Sequence, residues 1–154
     1  MEEWIIRLVQ SKIAWTKIFE ALRETWSSFS PLLGKVTLVI AGGSLGALCR
    51  YGTALLAARL IGTRFPWGTL LVNLTGCFLI GVSFALADRI NLLGSSARLF
   101  VMTGFLGALT TFSTFALETV NDLHEGDGLT GLVNLVVNNV AGLGLVFFGM
   151  WLVP

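Results

Sequence analysis

The sequence predicts an all-α membrane protein, with four transmembrane helices preceded by a short amphipathic helix. Of its 154 residues 55% are hydrophobic and only 12% charged, too little charge to clothe a soluble globule of this size. The charges are also confined. Residues 65–87, 99–117 and 128–154 contain no Asp, Glu, Lys, Arg or His, and 36–58 contain only Arg50. At 1.5 Å of rise per residue, a run of about 20 crosses the roughly 30 Å hydrocarbon core.

Residues 1–30 read as an interfacial helix and linker, closed by "SSFSP", and 35–154 as the transmembrane domain. On a helical wheel Trp4, Leu8, Trp15, Ile18, Phe19, Leu22 and Trp26 share one arc, with Lys17, Glu20 and Glu24 opposite. Tryptophan suits the headgroup boundary, where its ring wants lipid and its N–H wants water, so this helix either lies on the membrane or docks on a partner protein. Its charges are scattered and it lacks the unbroken apolar core of a secretory signal.

Helix 1 spans about 36–60 and carries "AGGSLGALCRYG". Gly42 and Gly46, four apart, permit close approach of another backbone. Arg50 lies deep enough to face protein, water or headgroups, or to snorkel towards the helix end. "GTRFPWG" makes the first turn, with Pro66 and Trp67 at the interface. Helix 2 follows at 68–87, then the loop "DRINLLGSSAR", helix 3 at 98–120, the acidic turn "NDLHEGDG" and helix 4 at 129–153. Cys49 and Cys77 fall inside apolar runs, as buried packing thiols rather than a disulfide or metal pair.

Apart from Arg50, no ionisable residue occupies the middle of a span: Asp88 and Glu118 are at helix ends and His124 is in a turn. Proton-coupled pumps carry a carboxylate or histidine in the path, and this chain does not obviously supply one. It also lacks a nucleophile–base pair, a metal-ligand cluster and a phosphate-binding glycine loop, so it is not expected to be an enzyme. A net charge of +1 offers no basic face for nucleic acid.

Neutral polar residues remain. Thr69 and Asn73 are four apart on helix 2, as are Asn134 and Asn138 on helix 4, with Gly142 continuing that line. They read either as hydrogen-bonding glue between helices or, with the hydroxyls of helix 3 such as Thr114, as a continuous polar track. Amide and hydroxyl donors suit an anion, holding it less tightly than a lysine and letting it leave. In "GFLGALTTFSTFALE", Phe112 and Phe115 share a helix face; they either pack on neighbours or turn their positive ring edges to an anion. Gly107 and the "LTT" that follows can bend or break the helix, which a membrane tolerates where the freed backbone lines a cavity or binds an ion.

The strings "GGSLGALCRY", "GTLLVNLTGCFLIG" and "TGFLGALTTFSTFALE", in this order, resemble the Fluc-type (CrcB) fluoride channels over roughly residues 35–151. The resemblance implies a small four-helix protein that forms an inverted, dual-topology dimer with two pores and exports fluoride passively to reduce its toxicity. It implies that helix 3 is broken at its middle, that Phe112 and Phe115 line the pores and that Asn73 and Thr69 belong to the polar path. The carbonyls of Gly107 and Thr110 from both subunits would hold a structural sodium ion; Arg50 and Glu118 are assigned to the vestibule or to structure. A bacterial inner membrane is the implied location. On helix 4 the family usually places Tyr or another polar residue and then Ser, where this chain has Asn134 and Asn138, and Gly142 beyond them offers no side chain.

The compact family pattern lacks the N-terminal helix, and that helix bears on topology. Without it Lys35, Arg89 and Arg98 on one side face Arg59 and Arg64 on the other; Arg7, Lys12, Lys17 and Arg23 raise the count to seven against two. Under the positive-inside rule the extension favours an N-terminus-in orientation, and pairing with an oppositely oriented relative becomes an alternative to the homodimer. Two other classes stand beside the channel: a small four-helix proton-coupled drug exporter, which needs a glutamate that helix 1 lacks, and a non-transporting membrane scaffold.

Overall fold

A computed structural model describes the backbone of residues 2–154 and the side chains of 15–27 and 31–154. Every regular element among these residues is helical: α1 (Glu2–Leu60), α2 (Trp67–Asp88), α3 (Ser95–Arg98), a π-helix (Leu99–Leu106), α4 (Gly107–Leu109), α5 (Phe112–His124), α6 (Gly128–Val136), a second π-helix (Val137–Ala141) and α7 (Gly142–Leu152). Four stretches are long and apolar enough to cross a membrane: Trp15–Leu60, Trp67–Asp88, Ser95–His124 and Gly128–Leu152. The second to fourth agree with the sequence expectation to within a few residues.

The chain forms two compact units, Met1–Thr37 and Leu38–Pro154. In the first, Trp15, Ile18, Phe19, Leu22 and Trp26 of the expected apolar stripe are all exposed. Trp4, Arg7, Leu8 and Lys12 lie outside the residues whose side chains are described. Helical backbone continues through "SSFSP", with Pro31 inside α1.

The second unit packs by glycine. Gly42 and Gly46 of α1 meet the carbonyls of Phe100 and Phe105, and Gly104 approaches the Val39 carbonyl so closely that a Cβ there would lie at 2.9 Å. Across the bundle, Gly81 of α2 meets the Val146 carbonyl and Gly149 of α7 meets that of Phe78. Such positions have room for hydrogen only, which lets helices approach where lipid supplies no hydrophobic drive. Val72, Leu106 and Leu109 form a small buried core, flanked by Leu79, Ile80, Val101 and Phe105. Most other large apolar side chains are exposed, the inverse of a soluble protein and suited to lipid. Cys77 is half-buried, but Cys49 is exposed rather than a packing thiol.

The turns follow local chemistry. Gly62 (φ +101°) closes α1 and Gly126 (φ +84°) closes α5, left-handed positions that favour glycine. Asp127 caps α6 by accepting from the Thr130 N–H at 3.2 Å, and hydrogen bonding from the Thr130 side chain and then this N–H holds its carboxyl below the ordinary range. At the other end Arg89 donates to the Val153 carbonyl at 2.6 Å, and Arg98 to the carbonyls of Leu93 and Ala87, tying the loop between the second and third spans to the chain end.

Candidate functional site

The third span carries the site. Its helical geometry stops at Leu109 and resumes at Phe112; Thr110 (φ −82°, ψ 156°) and Thr111 (φ −150°, ψ 113°) are extended. Local sequence explains the restart. Thr111 is the N-cap of α5, its hydroxyl accepting from the Thr114 N–H at 3.3 Å. That hydroxyl also donates to Thr114 Oγ1 at 3.0 Å, so Thr114 helps hold the cap.

An interruption inside a membrane frees backbone groups that must find partners. The Thr111 N–H, which a continuing helix would give to the Gly107 carbonyl, donates instead to Asn73 Oδ1 at 2.8 Å. The Thr111 carbonyl accepts from Asn73 Nδ2 at 3.2 Å. One side-chain amide on α2 thus satisfies both backbone groups of one residue on the third span.

The polar network runs on into the fourth span. Asn73 Nδ2 donates to Asn138 Oδ1 at 3.0 Å, and Asn138 Nδ2 donates to Asn134 Oδ1 at 2.7 Å. Asn134 is fully buried and donates to Thr119 Oγ1 at 3.0 Å, and Thr119 in turn donates to the Phe115 carbonyl at 2.9 Å. Asn73 of one sequence-predicted stripe therefore meets Asn138 of the other directly, while Thr111 as cap and Thr119 as terminus are members that the sequence did not single out.

Beside this network lies a cavity of about 390 Å³, lined among others by Asn73, Thr110, Thr111, Phe112, Phe115 and Asn138. The Phe112 and Phe115 rings are 5.6 Å apart and inclined at 62°, edge towards face. Phe115 is buried, whereas Phe112 is 77% exposed and presents its ring outward. Gly107 lines the same cavity.

The remaining predicted residues are elsewhere. Thr69 donates to Glu118 Oε1 at 2.7 Å, and both line a second cavity of about 320 Å³ with Arg64, Trp67, Asp122 and Glu125. Thr69 thus pairs with Glu118, apart from Asn73. Arg50 is half-buried and lines neither cavity. Among the described residues no group of His, Cys, Asp and Glu has a metal-binding arrangement.

Residues 37–150 match the family described as "CrcB-like protein, Camphor Resistance (CrcB)". The chain is 49% identical over 115 residues to a "Fluoride-specific ion channel FluC" of Salinibacter ruber, covering 75% of this chain and 86% of that protein. It is 42% identical over 120 residues to a protein of the same name from Dehalococcoides mccartyi, covering 78% and 92%. A third, from Shewanella amazonensis, is 40% identical over 121 residues, covering 79% and 97%.

Proposed function

The chain belongs to the CrcB-like family, and on that premise we propose that it is a fluoride-selective channel of the cell membrane, passing fluoride passively out of the cell. The observation that carries the proposal is the cavity lined by Asn73, Phe112 and Phe115, in a chain 49% identical to a named fluoride channel. A small, strongly hydrated anion needs donors and positive ring edges to replace its water, and a neutral track holds it loosely enough to let it go. The relatives are named as channels, which gives no reason to assign a reaction; the proton-coupled exporter and the scaffold find no support.

The unit that works is an inverted dimer. The 77% exposed Phe112 favours this, because a ring that belongs to an ion path must be covered by something other than lipid, and a second copy can supply the cover. The broken third span serves the same assembly. Its extended residues free carbonyls at the end of α4, and carbonyl oxygens fit a hard cation such as sodium. Gly107 and Thr110 would hold that ion, with the same groups of a second copy completing the ligand set. When bound it fixes the two interruptions together and takes no part in transport.

The N-terminal unit sets orientation. Its four basic residues, Arg7, Lys12, Lys17 and Arg23, favour the N-terminus-in insertion, and pairing with an oppositely oriented relative then stands as an alternative to the homodimer. Accessibility labelling of single cysteines at both termini, with residues 1–27 present and deleted, reads this directly: equal populations of both orientations in the full chain would refute it.

The function is tested by efflux from liposomes holding the purified protein, followed with a fluoride electrode and a parallel chloride measurement. Rapid fluoride loss with negligible chloride loss is expected. Folded protein without fluoride flux, alone and after co-expression with a relative, would refute the proposal.

A further inference from the structure

The amides that join the second, third and fourth spans can be arranged in only one direction. The Thr111 N–H is a donor and nothing else, so the Asn73 atom that it meets at 2.8 Å is the oxygen. Asn73 Nδ2 then spends both hydrogens, on the Thr111 carbonyl at 3.2 Å and on Asn138 Oδ1 at 3.0 Å. At the other end the Asn134 carbonyl can only accept, so Asn138 turns Nδ2 towards it at 3.1 Å and towards Asn134 Oδ1 at 2.7 Å. Two backbone groups therefore fix the orientation of all three amides. A consequence is that no amide hydrogen of Asn73 is left for an ion.

We propose that Asn138 Oδ1 is a built-in competitor of the transported anion: it occupies the Asn73 N–H that fluoride would take, and so sets how weakly the path holds its ion. The inference rests on the fluoride-channel reading. Asn73 and Asn138 line the same cavity as Phe112 and Phe115, so an ion in that cavity beside the rings is also beside the bond in question. The other bonds of Asn73 are not free to exchange, because releasing them strands the backbone of Thr111 in a low-dielectric interior. The Asn73–Asn138 bond is side chain to side chain and can open alone. Opening it strands only the side-chain oxygen of Asn138, and the two bonds that this amide donates to Asn134, which has no exposed surface, draw it back to its post. A site that is competent only when the oxygen has moved binds with its affinity divided by that competent fraction. In a channel this is useful, since the ion must leave as readily as it enters.

The test compares the fluoride concentration that half-saturates efflux in the wild type, Asn138→Ser and Asn138→Ala. Serine is one carbon too short to reach Asn73, yet keeps a hydroxyl near the Asn134 carbonyl; alanine removes both. With the competitor gone the half-saturating concentration is expected to fall about 2- to 10-fold in both variants, the worth of one neutral hydrogen bond. The maximal rate should not rise with it. A raised concentration would make Asn138 a direct ligand of the ion. An unchanged one, or two variants that do not fold, would make it a structural residue. Each of these overturns the inference and leaves the channel reading standing, whereas a wild type without fluoride flux overturns both.

Discussion

Replacing Asn73 by leucine removes its hydrogen bonds without opening a cavity, because leucine keeps the branch at Cγ and is the larger side chain; any overpacking adds to the cost. Three hydrogen bonds disappear: those with the Thr111 N–H, the Thr111 carbonyl and Asn138 Oδ1. A buried polar group left without a partner costs about 1–3 kcal/mol, whereas hydrogen bonds between membrane helices average about 0.6 and reach about 1.7 kcal/mol. The N–H of Thr111 belongs near the upper figure, since it has a single hydrogen and no second choice. Its carbonyl and the Asn138 oxygen belong near the lower. The sum is a destabilisation of about 2–4 kcal/mol. Asn138→Leu breaks only bonds that end on side chains or on a carbonyl already in a helix, and should cost about half as much. Unfolding in mixed micelles measures both, and hydrogen exchange at the Thr111 amide should accelerate in Asn73→Leu alone. A folded Asn73→Leu within about 0.5 kcal/mol of the wild type, with Thr111 still protected, would refute the argument that α2 supports the interruption.

Other expectations follow from single contacts. Phe115→Ile keeps an apolar side chain but removes the ring edge, so fluoride efflux should fall by at least tenfold while thermal stability changes little; unchanged efflux would remove the ring from the path. Gly81→Val places carbons against the Val146 carbonyl on α7 and should abolish a stable fold, whereas Gly94→Ala, with open space around it, should melt like the wild type. Asp127→Asn should weaken the start of α6 only above the acid range: the folded pKa is lowered, so the contribution of the carboxylate is complete above its ordinary pKa and is lost as pH falls through the lowered one. A stability difference between wild type and Asp127→Asn that grows on acidification would refute this.

The spans were legible because three rest on charge-free runs and the first is interrupted only by Arg50, and lipid admits few alternatives to a helix there. Asn73, Asn134 and Asn138 were legible as stripes, because a spacing of four residues is a local property of a helix. The pairing of Thr69 with Glu118 was not, since the two are 49 residues apart and their meeting depends on how spans dock. The cap at Thr111 was present in the string "TTFST", but a hydroxyl-rich stretch inside a span reads as a polar surface before it reads as a helix start. Neither π-helix, Leu99–Leu106 or Val137–Ala141, is visible at all: each widens the turn and shifts the register that the helical wheel assumes constant.

That shift bears on the route of the polar path. In sequence, Asn134, Asn138 and Gly142 form one line, which suggests a track running straight along the fourth span. The π-helix falls between the first and last of them, and Gly142 emerges against the second span, where an added Cβ would lie 3.3 Å from Cys77 Sγ. Beyond it α7 is locked to α2 through Gly81 and Gly149, with no room for a side chain at either glycine. The hydrogen bonds turn aside at Asn138 and cross to Asn73 instead. The bare glycine at 142 is thus a consequence of packing, and the polar line on the fourth span ends at Asn138 because the next turn belongs to the helix contact. A side chain placed at 142 to extend the track, as in Gly142→Ser, should therefore loosen the α2–α7 contact and lower the melting temperature. Full stability with increased fluoride efflux would show that the path continues along the fourth span after all.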